Sequence, residues 1–397
     1  MAETNRSFSL RALGMGAFYI IGAPAAIGGG LALAPLQALI GLLFAPWERI
    51  KALPRALGLS GAALLLFIAW GLVSLIWTPS ANAPQQAIKT MAGVITGIGF
   101  VAIAAAASDA QRRLIQRIAA AGLALLAALC LIEAFADMPI NYLFQPHAEH
   151  GMLERNPAKG VTILLCWMWP VIGALAGGST FERTLWRVLF ICAMIACFFF
   201  GVDANIAVAV IGLIAYAFGY VLPRVAPALI LTIWAGWLVA SPWVLPLIAH
   251  SALLAQMPQS WRHRGAIWTY AADKIQANPI LGYGLDSART FNKPRAFEGM
   301  QIPAIPLHPH SGSLQIWFEL GVVGVALAAL ALLLGAWRAA NAFGDQPARA
   351  GAFAACAVAI GFYWNFSVGL WQEWYVAVAF GAAALVAALD RPEKIGG

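Results

Sequence analysis

The side chains able to do chemistry are concentrated in two stretches, about 137–157 and 247–310. Together they hold every histidine of the chain, His147, His150, His250, His263, His308 and His310. With Lys159 just beyond the first, they also hold Arg155, Arg262, Arg264, Lys274, Arg289, Lys293 and Arg295. From Trp261 to Gln276, an apolar stripe of Trp261, Trp268, Ala271, Ala272 and Ile275 at helical spacing predicts an amphipathic helix that lies on the membrane or caps a bundle. Arg264 falls on that stripe, while Arg262, Thr269 and Asp273 take the polar face. A guanidinium on an apolar face either snorkels to lipid phosphate or holds a bound phosphate or pyrophosphate. His310 and Ser311 stand at the mouth of a long apolar run. A histidine there titrates near neutral pH and reaches both water and a lipid-borne substrate, so a general base competes with a helix-capping or interfacial residue. In Asn278-Pro279 to Phe291 the helix stops, and Gly282 and Gly284 permit a tight turn. Without a third glycine and a strand-turn-helix setting, this is only a turn and not a dinucleotide fingerprint.

The elements that must position these groups are membrane spans. Of 397 residues 61% are hydrophobic and 10% charged, and the mean hydropathy is +0.78, which excludes a water-soluble fold. Apolar stretches near the ~20 residues that cross a bilayer recur along the whole chain. They predict an all-α polytopic bundle of about twelve transmembrane helices, near 10–26, 28–44, 57–77, 87–107, 118–136, 158–178, 188–201, 203–221, 228–246, 311–336, 350–366 and 373–389. Residues 1–397 then form a single integral membrane domain, with 247–310 a long loop within it. With a cytoplasmic N-terminus, every inside segment is basic, carrying Arg6, Arg11, Arg49, Lys51, Arg55, Arg112, Arg113, Arg117, Arg183, Arg187, Arg224, Arg338, Arg349, Arg391 and Lys394. Topology leaves Lys89 and the eight cations of the two stretches unexplained, so the chemistry is expected on the outer face. The net charge of +7 follows from this distribution and requires no nucleic acid. Cys130, Cys166, Cys192, Cys197 and Cys356 lie in apolar blocks without metal-ligand spacing and read as packing thiols.

At three places the residues match a known family. Arg264 to Trp268 reads R-x-x-I-W, Pro279 to Arg289 reads P-I-L-G-Y-G-L-D-S-A-R, and His308 to Gly321 reads H-P-H-S-G-S-L-Q-I-W-F-E-L-G. Weaker matches flank them in R-N-P-A-K-G (Arg155 to Gly160) and W-Q-E-W-Y (Trp371 to Tyr375). In these motifs and their order the chain resembles the O-antigen ligase and Wzy-polymerase superfamily of membrane glycosyltransferases. The resemblance implies a GT-C-like fold in the bacterial inner membrane, with the active site facing the periplasm and no cofactor. It implies an undecaprenyl-pyrophosphate-linked glycan as donor and lipid A-core or another glycan as acceptor. By the same resemblance His310 is the catalytic histidine, and Arg155 and Arg264 hold the donor's pyrophosphate. His308, Ser311, Arg289 and Glu373 are candidates for an acceptor or secondary site. Ser311 stands where the family usually has Asn, and Asp203-Ala204-Asn205 lacks a serine the family would carry.

The implied chemistry is physically coherent. A diphosphate is a good leaving group once bidentate arginines match its charge, and the chain contains no D-x-D for a metal-bound nucleotide sugar. Glu319, nine residues past His310, reads as a structural acid. Glu373 divides between interfacial anchoring and acceptor binding, and Arg289, Lys293 and Arg295 read mainly as solvated loop charge. A Wzy-type polymerase uses similar residues. A transporter or flippase of lipid-linked glycans would instead need ionisable residues at the midplane and an internal repeat.

Overall fold

The computed structural model describes residues 2–50, 53–200 and 202–389, and the side chains among them other than those of 2–9 and 49–57. The chain is a helical bundle. A helix occupies each of the twelve expected segments: α1 (Ala2–Ile27), α2 (Leu33–Phe44), α3 (Leu53–Val73), α4 (Ala83–Ala106), α5 (Asp109–Phe135), α6 (Arg155–Ala176), α7 (Thr180–Phe199), α8 (Asp203–Val221), α9 (Ala226–Ala249), α11 (Gly312–Ala342), α12 (Pro347–Phe366) and α13 (Glu373–Ala387). Between α9 and α11 lies the loop helix α10 (Gln259–Ala277). Among the described residues, eight helices are long and apolar enough to cross a membrane, so the protein is a multi-pass membrane protein. The count of about twelve spans is narrower in the structure: α2 and α13 have 12 and 15 residues, and α7 and α12, though 20 residues each, are not among the eight.

The span running through His150–Ala176 is 83% buried, which makes α6 the axis on which α1, α5, α7, α12 and α13 pack. Water does not drive association inside a bilayer, so close backbone approach must. Small residues supply it: a Cβ on Gly219 would lie 2.7 Å from the Ala350 carbonyl, and one on Gly351 would lie 2.8 Å from that of Tyr216, across the α8–α12 contact.

Basic residues assigned to the inside gather at one end of the bundle. Arg113, Arg117 and Arg349 line a cavity of about 490 Å³ there, and Arg117 pairs with Glu182 at 3.2 Å. Arg6, Arg49, Lys51, Arg55, Arg391 and Lys394 lie outside the described side chains. The two histidine-bearing stretches stand at the opposite end.

The long loop caps that end. Helix α10 packs on α9 and α11, burying Trp268, Ala271, Ala272 and Ile275 of the expected stripe together with Ile267. One element departs from the all-helical reading: a hairpin of β1 (Pro294–Phe297) and β2 (Met300–Pro303), turning on Glu298 and Gly299, both at positive φ. Two positive-φ residues suit the right-handed twist of a two-residue hairpin.

Gly282 and Gly284 also do more than turn the chain. Helix α11 breaks at Gly321 (φ +61°), and the 279–284 backbone fills the break. Tyr283 and Gly284 donate their N–H groups to the carbonyls of Phe318 and Glu319, and the Val322 N–H donates to Pro279, each at 2.8 Å. Irregular backbone at membrane depth survives only when protein satisfies its polar groups in this way. A Cβ on Gly321 would sit 2.1 Å from the Ile280 carbonyl. Gly321→Ala is therefore expected to cost about 1–3 kcal/mol, through positive φ and the clash together. Thermal unfolding in detergent would register this as a lowered midpoint. Gly151→Ala, with nothing within 4 Å of the added carbon, is expected to unfold like the parent.

Candidate active site

At the mouth of α11, Ser311 caps the helix by accepting the Leu314 N–H at 3.3 Å, and it is buried. That bond occupies Ser311 at the helix terminus. The preceding His310 is pushed into a left-handed conformation (φ +51°), which is uncommon for a residue with a side chain and costs energy that surrounding contacts must hold. Two contacts hold it. Its N–H donates to His308 Nδ1 at 3.1 Å, and its own Nδ1 lies 3.3 Å from the Ser367 carbonyl. A carbonyl can only accept, so the neutral ring carries its proton on Nδ1 and Nε2 keeps the lone pair. The two imidazoles stand 4.5 Å apart between centroids, and the space for His308 exists because Gly369 has no side chain: a Cβ there would lie 2.8 Å from the ring.

Arg264 and Arg289 press on this pair. Burial pulls the His310 imidazole down to about 4, with the charge of Arg264 adding to it, Ser367 opposing and His263 adding a little more. His308 is pulled further, to about 3, by burial and then by His310, Arg264 and Arg289. Both rings are thus neutral at physiological pH. Arg264 stacks on Trp261 with its guanidinium carbon 4.8 Å from the ring centroid, and Trp261 in turn donates its Nε1–H to Asp203 at 3.2 Å. Burial lowers Arg264 from its usual range while Asp203 raises it, and an arginine so placed keeps its charge. Arg262, on the other face of α10, pairs with Glu298 of the hairpin at 3.2 Å, and His263 stacks on Phe297.

In the sequence Arg289 reads mainly as solvated loop charge and, by the resemblance, as a candidate for a secondary site. It is half-buried, donating from Nε and Nη2 to one oxygen of Asp286 at 2.9 and 2.8 Å, so it is a positioned cation and not solvated loop charge. Asp286 is itself buried and accepts the Ser80 hydroxyl at 2.9 Å on its other oxygen. Sequence reasoning passed over Asp286, although its three-residue spacing from Arg289 was a usable signal. Lys293 is exposed, and Arg295 stacks on Tyr270 at 4.8 Å.

Glu319 has the structural place expected of it. Fully buried, it accepts from Trp371 Nε1 (2.6 Å), the Asp286 N–H (2.8 Å) and Gln315 Nε2 (3.1 Å), so three segments meet on one carboxyl. Glu373 opens α13 and pairs with Lys89 at 3.4 Å. Arg155 opens α6 as an exposed side chain, and among the described contacts none joins it to Arg264 or His310. The two helices it and Arg264 belong to are nevertheless tied at this end. Asn205 donates to the Ala158 carbonyl, one turn below Arg155, and accepts from Thr162 and Tyr363, two residues from the Asp203 that holds Trp261.

Comparison with known proteins adds an independent line. A family model described as O-antigen ligase matches residues 188–329, which include Arg264, the 279–289 segment and both histidines but neither Arg155 nor Trp371–Tyr375. A protein of Rickettsia typhi named "Putative polysaccharide ligase" is 24% identical over 347 residues, covering 83% of this chain and 81% of the relative. Its counterpart in Rickettsia prowazekii is also 24% identical over the same shares. One from Rickettsia felis, with the same name, is 30% identical over 146 residues, 36% of this chain and 35% of that one. No solved structure matches the chain. The motifs around His310, the helical membrane bundle that carries them and the similarity running over most of the chain point the same way: over residues 188–329 the chain is similar to the O-antigen ligase family, and over most of its length to proteins named as polysaccharide ligases.

Proposed function

We propose that the protein moves a glycan from undecaprenyl pyrophosphate to a sugar hydroxyl of lipid A-core on the periplasmic face of the inner membrane, with inversion and without a metal. The observation that supports this reading most is Arg264, whose charge bears on both imidazoles of a neutral histidine pair at a helix mouth, with the half-buried Arg289 bearing on His308. Arg264 is the donor-pyrophosphate ligand in this scheme, with Arg155 on the same rim as a second. Arg289 holds a further phosphate oxygen or the acceptor. His310 Nε2 takes the proton of the acceptor hydroxyl as its oxygen forms a bond to the anomeric carbon. The bond from that carbon to the phosphate oxygen breaks, and undecaprenyl pyrophosphate leaves with the electron pair, its charge matched by the arginines. The acids near the spans speak for transfer over transport. Glu133 accepts from the Ile140 N–H and from Asn141, and Glu319 from a loop backbone, so each is satisfied within the protein toward the end of the bundle that carries the histidine pair.

A deletion strain tests the reading through its glycan profile. Loss of full-length chains from lipopolysaccharide, with such chains accumulating on the lipid carrier, is expected of a ligase. Accumulation of single repeat units would replace this reading with a Wzy-type polymerase, and an unchanged profile would remove both.

A further inference from the structure

Away from the histidine pair, the hairpin and the polar face of α10 enclose a second cavity of about 250 Å³. This is below the roughly 300–1,000 Å³ of sites for drug-sized ligands, so it has room for a single small ring. Its polar groups are His250, Thr269, Asp273 and Arg295, and its walls include Ile267 and Phe297. The donor and acceptor capacities are complementary. Asp273 makes no hydrogen bond or ion pair with any described residue, so both carboxylate oxygens are open to donors. Thr269 donates its hydroxyl proton to the Gly265 carbonyl at 3.1 Å, which leaves its oxygen to accept. His250 Nδ1 lies 2.7 Å from the Pro246 carbonyl and donates there, so Nε2 is the ring nitrogen left for a ligand. Arg295 lies flat on Tyr270, a pose that occupies its face and leaves its in-plane N–H edge to donate.

We infer that this cavity binds one neutral pyranose ring of a glycan substrate, an inference that rests on the transfer reading above and deepens it. One carboxylate and one guanidinium balance in charge, so a neutral ligand is favoured over a carboxylated or phosphorylated one. Adjacent ring hydroxyls suit a bidentate carboxylate, with Arg295 donating to ring or hydroxyl oxygens and the C–H face of the sugar on Phe297 and Ile267. One wall of the cavity also faces toward the histidine pair: the Phe297 and His263 rings lie 5.7 Å apart between centroids, and the charge of His263 bears weakly on His310. The ring belongs to the acceptor or to the carried glycan, and experiment separates the two.

The binding test needs no turnover. Full-length His310→Ala protein in nanodiscs is mixed with two probes in separate arms: the oligosaccharide released by mild acid from the strain's lipid-linked glycan, and the core oligosaccharide released from its lipopolysaccharide. Saturation-transfer NMR is expected to show contact with one probe, and that contact is expected to vanish when Asp273→Ala is added. In the active protein, Asp273→Ala is expected to raise KM for the same substrate about tenfold or more, the cost of losing hydrogen bonds to a charged group, with kcat within about twofold. Asp273→Asn, which keeps shape, serves if the alanine variant fails to fold and is expected to shift KM in the same direction. No contact with either probe, or contact and KM indifferent to both substitutions, overturns the sugar site while leaving transfer intact. Contact without any transfer activity in the parent protein would retain the sugar site and remove the proposed reaction.

Discussion

His310→Ala is expected to lower kcat by about 10²–10⁴-fold, the usual contribution of a positioned general base, and to leave donor affinity nearly unchanged. The split follows from geometry. Nδ1 is engaged with Ser367, so only Nε2 is available, and a lone pair recognises a hydroxyl proton and not a pyrophosphate oxygen. The pH dependence adds a second signature. Activity needs the neutral ring, and burial with the Arg264 charge holds its protonation down at about 4 against an ordinary 6.5. The free enzyme therefore keeps its base as pH falls from 8 to about 5, and kcat/KM is expected to stay flat over that range, declining only near pH 4. A solvent-exposed histidine would instead lose activity on passing below about 6.5. His308→Ala is expected to act more weakly, by releasing the His310 backbone N–H and with it the left-handed pose. Transfer assays across pH on folded variants decide the matter: wild-type turnover in His310→Ala removes the histidine from the reaction.

The helices were written plainly in the sequence because each apolar stretch must satisfy its own backbone in lipid, and only a helix does so within one segment. Arg264 was legible for a related reason. A charge on an otherwise apolar stripe is costly unless something meets it, and the structure meets it with the face of Trp261 and the carboxylate of Asp203. What escaped depends on contacts between residues far apart in the chain. Arg289 looks like loop charge in a linear text, and is held in place by an Asp286 that Ser80, more than two hundred positions away, meets with a hydrogen bond. Gly282 read as a turn because the break at Gly321 that receives it sits inside a run of apolar letters. The hairpin was hidden because its two strands are only four residues each and largely exposed, which leaves too few positions for an alternation pattern to show.

Arg264→Lys is the sharper of two substitutions at the second key position, because it keeps the charge and changes everything else. Arg264 is stacked on Trp261 and faces the histidine pair, so its planar fork can meet two phosphate oxygens at once while the indole supports its face. A lysine ammonium is a strongly hydrated point charge that neither stacks in this way nor donates in a plane. If the role were only to supply positive potential, lysine would suffice. Both Arg264→Lys and Arg264→Ala are instead expected to weaken donor binding, by about tenfold and about a hundredfold, on the scale of one and two charge-assisted hydrogen bonds. Trp261→Leu is expected to fall near the lysine variant, because it removes the platform and the tether to Asp203 while leaving the guanidinium. The measurement is equilibrium binding of a polyprenyl-pyrophosphate glycan to each variant in nanodiscs, alongside an uncharged polyprenol as reference. Donor affinity in Arg264→Ala equal to that of the parent would take the pyrophosphate away from this arginine. An equal loss with the uncharged polyprenol would assign the effect to the lipid tail, whereas a loss confined to the pyrophosphate form places the anion on the guanidinium.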